Sequence, residues 1–215
     1  MKTFAVIGLG RFGSAVAERL YDLGREVLAI DENPEQVQQV AEHVTRAVTA
    51  DCKDKEVLRV LGVGSIDCAI VAIGSDLTDS ILTTMSLKEL GVPQVICKAQ
   101  NESHKKVLQK LGADRVILPE REMANKLAQG LASANVMEYI ELSPDYGIVE
   151  FAAPEKWQGK TLRDLNIRVK IGVNVIAIRK SEKIIVSPHA EYTVEPKDTL
   201  VALGDNKALE AVRKL

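Results

Sequence analysis

An α/β fold, with a doubly wound parallel sheet followed by a small α+β domain, is what this sequence predicts, and three observations predict it. Gly8, Gly10 and Gly13 form a GxGxxG pattern between an apolar run and a helical stretch. A phrase of two leucines three apart, closed by glycine, recurs at 20–24, 58–62, 87–91 and 108–112. Beyond Pro119 the rhythm changes to short β-rich runs separated by Pro, Gly and Asp.

Each recurring phrase reads as a helix end. The leucines face a sheet and the glycine takes the left-handed conformation that stops the helix. The runs that follow, Val27 to Ile30, Cys68 to Ile73, Val95 to Lys98 and Arg115 to Leu118, lack polar alternation. Such strands are covered on both faces. With Phe4 to Gly8 and Arg46 to Ala50 they make six strands interleaved with helices. Uneven spacing between the phrases excludes a solenoid. Residues 120–137 read as one helix with Met123, Leu127 and Leu131 on a common stripe, ending a first domain over 1–137. A second domain over 138–215 follows, with strands at YIEL, IVEF, VNVIAI, KIIV and TLVALG and a closing helix from about Asn206 to Lys214.

Composition narrows the function. Twenty-eight basic against thirty acidic residues give a net charge of -2, and no basic block answers a nucleic-acid backbone. The N-terminal apolar run is too short for a signal peptide, and no apolar segment reaches membrane length. Cys52, Cys68 and Cys97 lack metal or redox spacing and read as reduced core thiols, which suits a cytoplasmic protein.

The glycine pattern carries the chemistry. Gly8 allows the tight turn, Gly10 lets a pyrophosphate approach the backbone, and Gly13 lets the helix pack closely on the strand. Phosphate then meets unpaired N–H groups and the positive end of the helix dipole. Asp31 closes the second strand, about 20 residues on, where a carboxylate accepts both ribose hydroxyls and disfavours a 2′-phosphate; the alternative is that the glycines are only turn formers and Asp31 only a helix cap before Asn33 and Pro34. Other strand ends converge on the same edge. Asp51 and Cys52 follow the third strand, Ala72, Ile73 and Gly74 the fourth, and Lys98 the fifth. Asp51 reads either as a contact to the adenine edge or as a turn residue, and Lys98 as a phosphate contact or a snorkelling lysine. Arg11 and Phe12 lie inside the glycine loop, where a guanidinium reaches a terminal phosphate that ATP has and NAD lacks. Glu120, after Pro119, is a helix N-terminal acid or a ligand for Mg²⁺ or Ca²⁺ beside the phosphates. No proton donor for hydride transfer is evident. His43 lies between a helix and a strand, His104 among exposed helix charges and His189 in a loop. A regulator that does not turn its nucleotide over is therefore favoured over a small NAD-linked oxidoreductase or a nucleotide-binding regulator of another partner.

The stretches FAVIGLGRFG, VAIG, ILTTMSLKELG, KAQN and HKKVLQKLGADRVILPE closely resemble the regulatory subunits of Ktr-type potassium uptake systems, relatives of the Trk regulators and of the RCK domains of potassium channels. In the second domain IRVKIGVNVIAIRK, IIVSP and DTLVALG resemble the family's ligand-sensing module. The resemblance implies dimers and a ring of subunits beneath an integral-membrane potassium-translocating partner, with ATP and ADP competing for the Rossmann site. It matches Arg11 to the γ-phosphate sensor and Glu120 to an acid associated with a divalent cation. Arg168, Asn174, Val175, Ile176 and Pro188 match the region where some members bind cyclic di-AMP at a dimer interface. Asp51 and Cys52 fall where members differ most.

Overall fold

The computed structural model describes residues 2–74, 76–132, 136–181 and 183–215. The chain divides into two compact units, Met1–Pro119 and Glu120–Leu215.

In the first unit six parallel strands alternate with helices: β1 (Thr3–Ile7), α1 (Arg11–Asp22), β2 (Glu26–Asp31), α2 (Pro34–Val40), β3 (Arg46–Thr49), α3 (Lys55–Val60), β4 (Cys68–Val71), α4 (Leu77–Glu89), β5 (Gln94–Lys98), α5 (Glu102–Lys110) and β6 (Arg115–Ile117). The sheet order is β3-β2-β1-β4-β5-β6, so the winding reverses between β1 and β4. A crevice opens there, outside the carboxyl ends of the strands. Alternate residues serve opposite faces. Ala5, Ile7, Leu28, Ile30, Val71 and Cys97 join one buried cluster, while Val6, Val27, Ala29 and Ile70 join another.

The helix stops follow the expected mechanism. Gly24, Gly62, Gly91 and Gly112 all have φ between +72° and +89°. After Gly91, Val92 N–H donates to the Leu87 carbonyl, and after Gly112, Ala113 N–H donates to that of Leu108, closing the wide ring of a Schellman turn. The first leucine of each pair packs deeper than the second, with Leu61 and Leu90 partly buried against the same core. Leu58, Leu87 and Leu108 are fully buried, whereas Leu23 is 56% exposed; as the residue at the helix end it sits beyond the packed face. The helix starts are capped by Asn33, Asp54, Asp76 and Asn101, whose side chains accept backbone N–H groups of the first turn, each worth about 1 kcal/mol.

The second unit holds α6 (Pro119–Ala132, from its second residue), β7 (Val136–Glu141), β8 (Tyr146–Ala152), α7 (Leu162–Leu165), α8 (Ile167–Ile171), β9 (Asn174–Lys180), β10 (Lys183–Val186), β11 (Thr199–Asp205) and α9 (Asn206–Arg213). Its sheet is antiparallel in the order β10-β9-β11-β8-β7. Phe151, Ile178, Leu200 and Leu209 form its centre, with Trp157 meeting Phe151 edge to face at 6.0 Å. The helix expected over 120–137 is shorter than its pattern. Val136 and Met137 belong to β7, where pairing with β8 (Val136 opposite Phe151) overrides the helical reading of the sequence; residues 133–135 lie outside the described residues. The stripe of Met123, Leu127 and Leu131 is exposed along α6, at 62% or more each.

Candidate nucleotide site

The glycine loop joins β1 to α1, and its three glycines meet three different surroundings. Gly8 has φ +91°, and a Cβ there would lie 2.8 Å from the Ile73 nitrogen. At Gly13 a Cβ would run into the Gly8 carbonyl. At Gly10 it would meet nothing within 4 Å. Two glycines therefore let the loop, α1 and the end of β4 close on one another, and the third faces open space at the helix start. Gly10 is the N-cap of α1 and lends no side chain to it, which leaves first-turn N–H groups directed toward that space. Ser14 ties the loop from inside, its hydroxyl donating to the Leu9 carbonyl at 2.6 Å.

Asp31 ends β2 beside this loop. One carboxylate oxygen accepts Leu9 N–H at 2.6 Å and the other accepts Asn33 N–H at 2.8 Å. The cap of α2 is Asn33 and not Asp31. A carboxylate has about four acceptor positions, so two bonds leave capacity for a sugar hydroxyl.

On the β3 side Asp51 is exposed and pairs with Lys53, which also reaches Asp79 at 3.4 Å and Glu32 at 3.9 Å. Asp51 and then Asp79 raise the lysine's pKa by stabilising its charge. Cys52 is buried and its carbonyl accepts the Thr83 hydroxyl. Burial, then the charges of Asp51, Asp31 and Glu32, pushes its thiol up to about 12. Such a thiol is a packing group and not a nucleophile.

Across the crevice Ala72 is buried and donates its N–H to Ile7 O, with Ile73 and Gly74 following. Lys98 ends β5 with its ammonium 5.8 Å from the Phe12 ring centre and within 3.8 Å of a Cβ built on Gly74. A cation, an aromatic face and the open helix start thus share one side of the crevice. Arg11, the first residue of α1, is exposed and in no ion pair among the described residues.

Glu120 belongs to the second unit, in the first turn of α6. Among the described residues no three or more His, Cys, Asp or Glu side chains gather as a metal site. The second group of expected ligand residues also lies in that unit. Arg168 is exposed on α8, Asn174, Val175 and Ile176 open β9, and Ser187 N–H donates to Ile176 O, which sets Pro188 beside that strand.

Sequence reasoning misplaced one residue and passed over another. His104 is not among exposed charges but 2% exposed. Asn101 caps α5 and accepts His104 N–H, and the cap three residues earlier is the signal that turns this side chain inward. Gln100 donates from its side-chain amide to the Gly74 carbonyl at 2.7 Å. Nothing in the spacing of the sequence marks that contact.

A six-stranded parallel sheet, a glycine loop at its winding reversal and an acid closing β2 define a Rossmann-type domain, here joined to a small antiparallel module. The chain belongs to the TrkA-domain family of potassium uptake proteins: residues 4–119 match the TrkA-N domain and 147–215 the TrkA-C domain. It is 45% identical to Ktr system potassium uptake protein C of Bacillus subtilis (strain 168), over 94% of this chain and 92% of that one. Identity to Ktr system potassium uptake protein A of the same organism is also 45%, over 97% and 94%. Among solved structures, the GsuK channel bound to NAD superposes with a TM-score of 0.70 at 18% identity, covering 100% of this chain and 39% of that chain, a likeness of fold. No described helix is long and apolar enough to cross a membrane.

Proposed function

We propose that this chain is the nucleotide-sensing regulatory subunit of a potassium uptake system, binding ATP or ADP, and NAD at the same place, without turning the nucleotide over. The observation that carries the reading is the open space at Gly10, bounded by the start of α1 and by an Asp31 already fixed to Leu9. A pyrophosphate fits the first and a ribose the second. Membership of a family whose Ktr members are named for potassium uptake supports the role. Arg11 at the first helical position is the γ-phosphate contact in this reading, and Lys98 beside Phe12 approaches the phosphates from the end of β5.

The subunit works at the inner face of the membrane through an integral partner and associates with copies of itself. The apolar side chains that α6 and β10 leave exposed, Met123, Leu127 and Leu131 and then Ile184 and Val186, support that association. The second module holds a further ligand, cyclic di-AMP, near Arg168, Asn174, Val175, Ile176 and Pro188. Potassium uptake into liposomes containing the integral partner, with this chain and either ATP or ADP added, tests the reading. A nucleotide-dependent difference in flux is expected; equal flux with ATP, ADP and no nucleotide refutes it. Incubation with NADH and carbonyl substrates should give no sustained oxidation.

A further inference from the structure

We propose that Gln100 and His104 are positioning residues of the nucleotide site: the neutral imidazole holds the Gln100 backbone, Gln100 holds the turn after β4 at Gly74, and protonation of His104 releases that turn. The inference rests on the nucleotide reading above and adds a pH response to it.

The chain of contacts starts in the core. His104 Nδ1 accepts Gln100 N–H at 3.3 Å. An accepting Nδ1 fixes the proton of the neutral ring on Nε2, and Nε2 is buried with no partner among the described residues. The ring is therefore held as an acceptor, with its one N–H already unmet. Adding a proton would set N–H against N–H at Gln100 and place a charge in the interior. Gln100 carries the effect outward through its amide bond to the Gly74 carbonyl. Gly74 continues directly from Ile73, whose nitrogen forms the wall against Gly8. A shift of this turn is a shift of the glycine loop's support.

Charged groups do not set the ring's state. On the elements packed against α5, Asp79, Lys88 and Glu89 lie on α4, Lys98 on β5 and Arg115 on β6. Glu102, Lys105, Lys106 and Lys110 share its helix, and Asp114 follows it. Burial alone lowers the imidazole pKa from the usual 6.5. The sign follows: above the ordinary 6.5 the ring is neutral and the tie is made, and the tie is lost only as pH falls through the lowered value of the folded chain.

The test is calorimetric ADP binding to the full chain, followed from about pH 8 down to about pH 5, a range carried below ordinary imidazole titration because burial lowers this ring's pKa. It compares the natural chain with His104→Asn, whose amide oxygen accepts but does not titrate, and with Gln100→Ala at an exposed position. The natural chain should lose about three- to tenfold more affinity on acidification than either variant, the scale of one hydrogen bond. Titration of ADP's own phosphate is common to all three and cancels. Gln100→Ala should also bind about three- to tenfold more weakly at the higher pH for the same reason. Parallel pH profiles for the three proteins would overturn the inference and leave the nucleotide reading standing. Failure of the natural chain to bind ADP at the higher pH would overturn both.

Discussion

The two units place rigidity differently. In the first, the closest approaches are backbone to backbone: Gly13 against the Gly8 carbonyl, and Gly8 against the Ile73 nitrogen. In the second, the tight glycine contacts are to side chains, Gly147 under the Tyr139 ring and Gly204 under Val173. Large apolar side chains stand in solvent on both units, at Leu23 and Val60 in the first and at Leu131, Met137 and Val186 in the second. A backbone cradle cannot yield, which suits a site that must present N–H groups in fixed positions. An antiparallel module with apolar groups outside suits surfaces that exchange partners.

The largest effect that tests this contrast is steric. Gly13→Ala should destabilise the chain by about 3 kcal/mol, at the upper end of overpacking, because the carbonyl it meets has nowhere to go. Gly147→Ala should cost only about 1 kcal/mol, since the Tyr139 ring can swing aside. Denaturant unfolding of both variants checks the pair, and equal costs would erase the distinction between an unyielding and a yielding cradle.

Asp31→Ala comes next. ATP, ADP and NAD share the ribose it faces, so all three should weaken alike, by about 1 to 3 kcal/mol. The structure adds that Leu9 N–H loses its acceptor too. Asp31→Asn, which keeps an accepting oxygen for Leu9, should recover part of the stability and less of the affinity. Calorimetry beside thermal unfolding separates the two losses, and unchanged binding of all three nucleotides removes Asp31 from the site.

A smaller and more selective effect belongs to Arg11→Ala. ADP should bind nearly as before, while the preference for ATP and the ATP-dependent part of potassium flux are lost, because only a γ-phosphate contact distinguishes the two. Retention of the full ATP-over-ADP response would place the sensor elsewhere.

The smallest effect is on acid stability, and it too divides the units. Asp67, Asp76 and Asp114 have lowered pKa values, through Thr3, through the first turn of α4, and through Val95 with Lys88, and all lie in the first unit. Their folded values sit below the unfolded ones, so the stability they give is present above the ordinary carboxylate range and is lost as pH falls below it through the lowered folded values. Trp157, the single tryptophan of the chain, reports the second unit. On acidification, loss of nucleotide binding should precede any change in Trp157 fluorescence. A simultaneous change would show that the units fail together.

How far the sequence could be read also differs between the units. The first is built of repeated strand–helix steps whose stops are written locally, by leucine then glycine; four of its six strands follow those signals, and β1 and β3 are read from their own runs. Its ligand edge is legible for the same reason, because strand ends are local features. Gln100 and His104 escaped because their role depends on a contact between two turns 26 residues apart in the chain. In the second unit the five strands are visible as runs, but their order, β10-β9-β11-β8-β7, comes from pairings between distant segments. The same distance explains the overlong helix before β7: only the pairing of Val136 with Phe151 says where the strand begins.

The three thiols of the chain give the protein a property of another kind. Cys52, Cys68 and Cys97 are all buried and free of disulfides, and burial raises each, Cys52 to about 12 and Cys97 to about 11. At neutral pH almost none of their sulfur is thiolate, the form that oxidants and alkylating reagents attack. The thiols of the folded chain are expected to react slowly with maleimide. A single cysteine introduced at an exposed position would carry a dye alone, against a silent background, so that movements of this subunit can be followed without first removing its own cysteines.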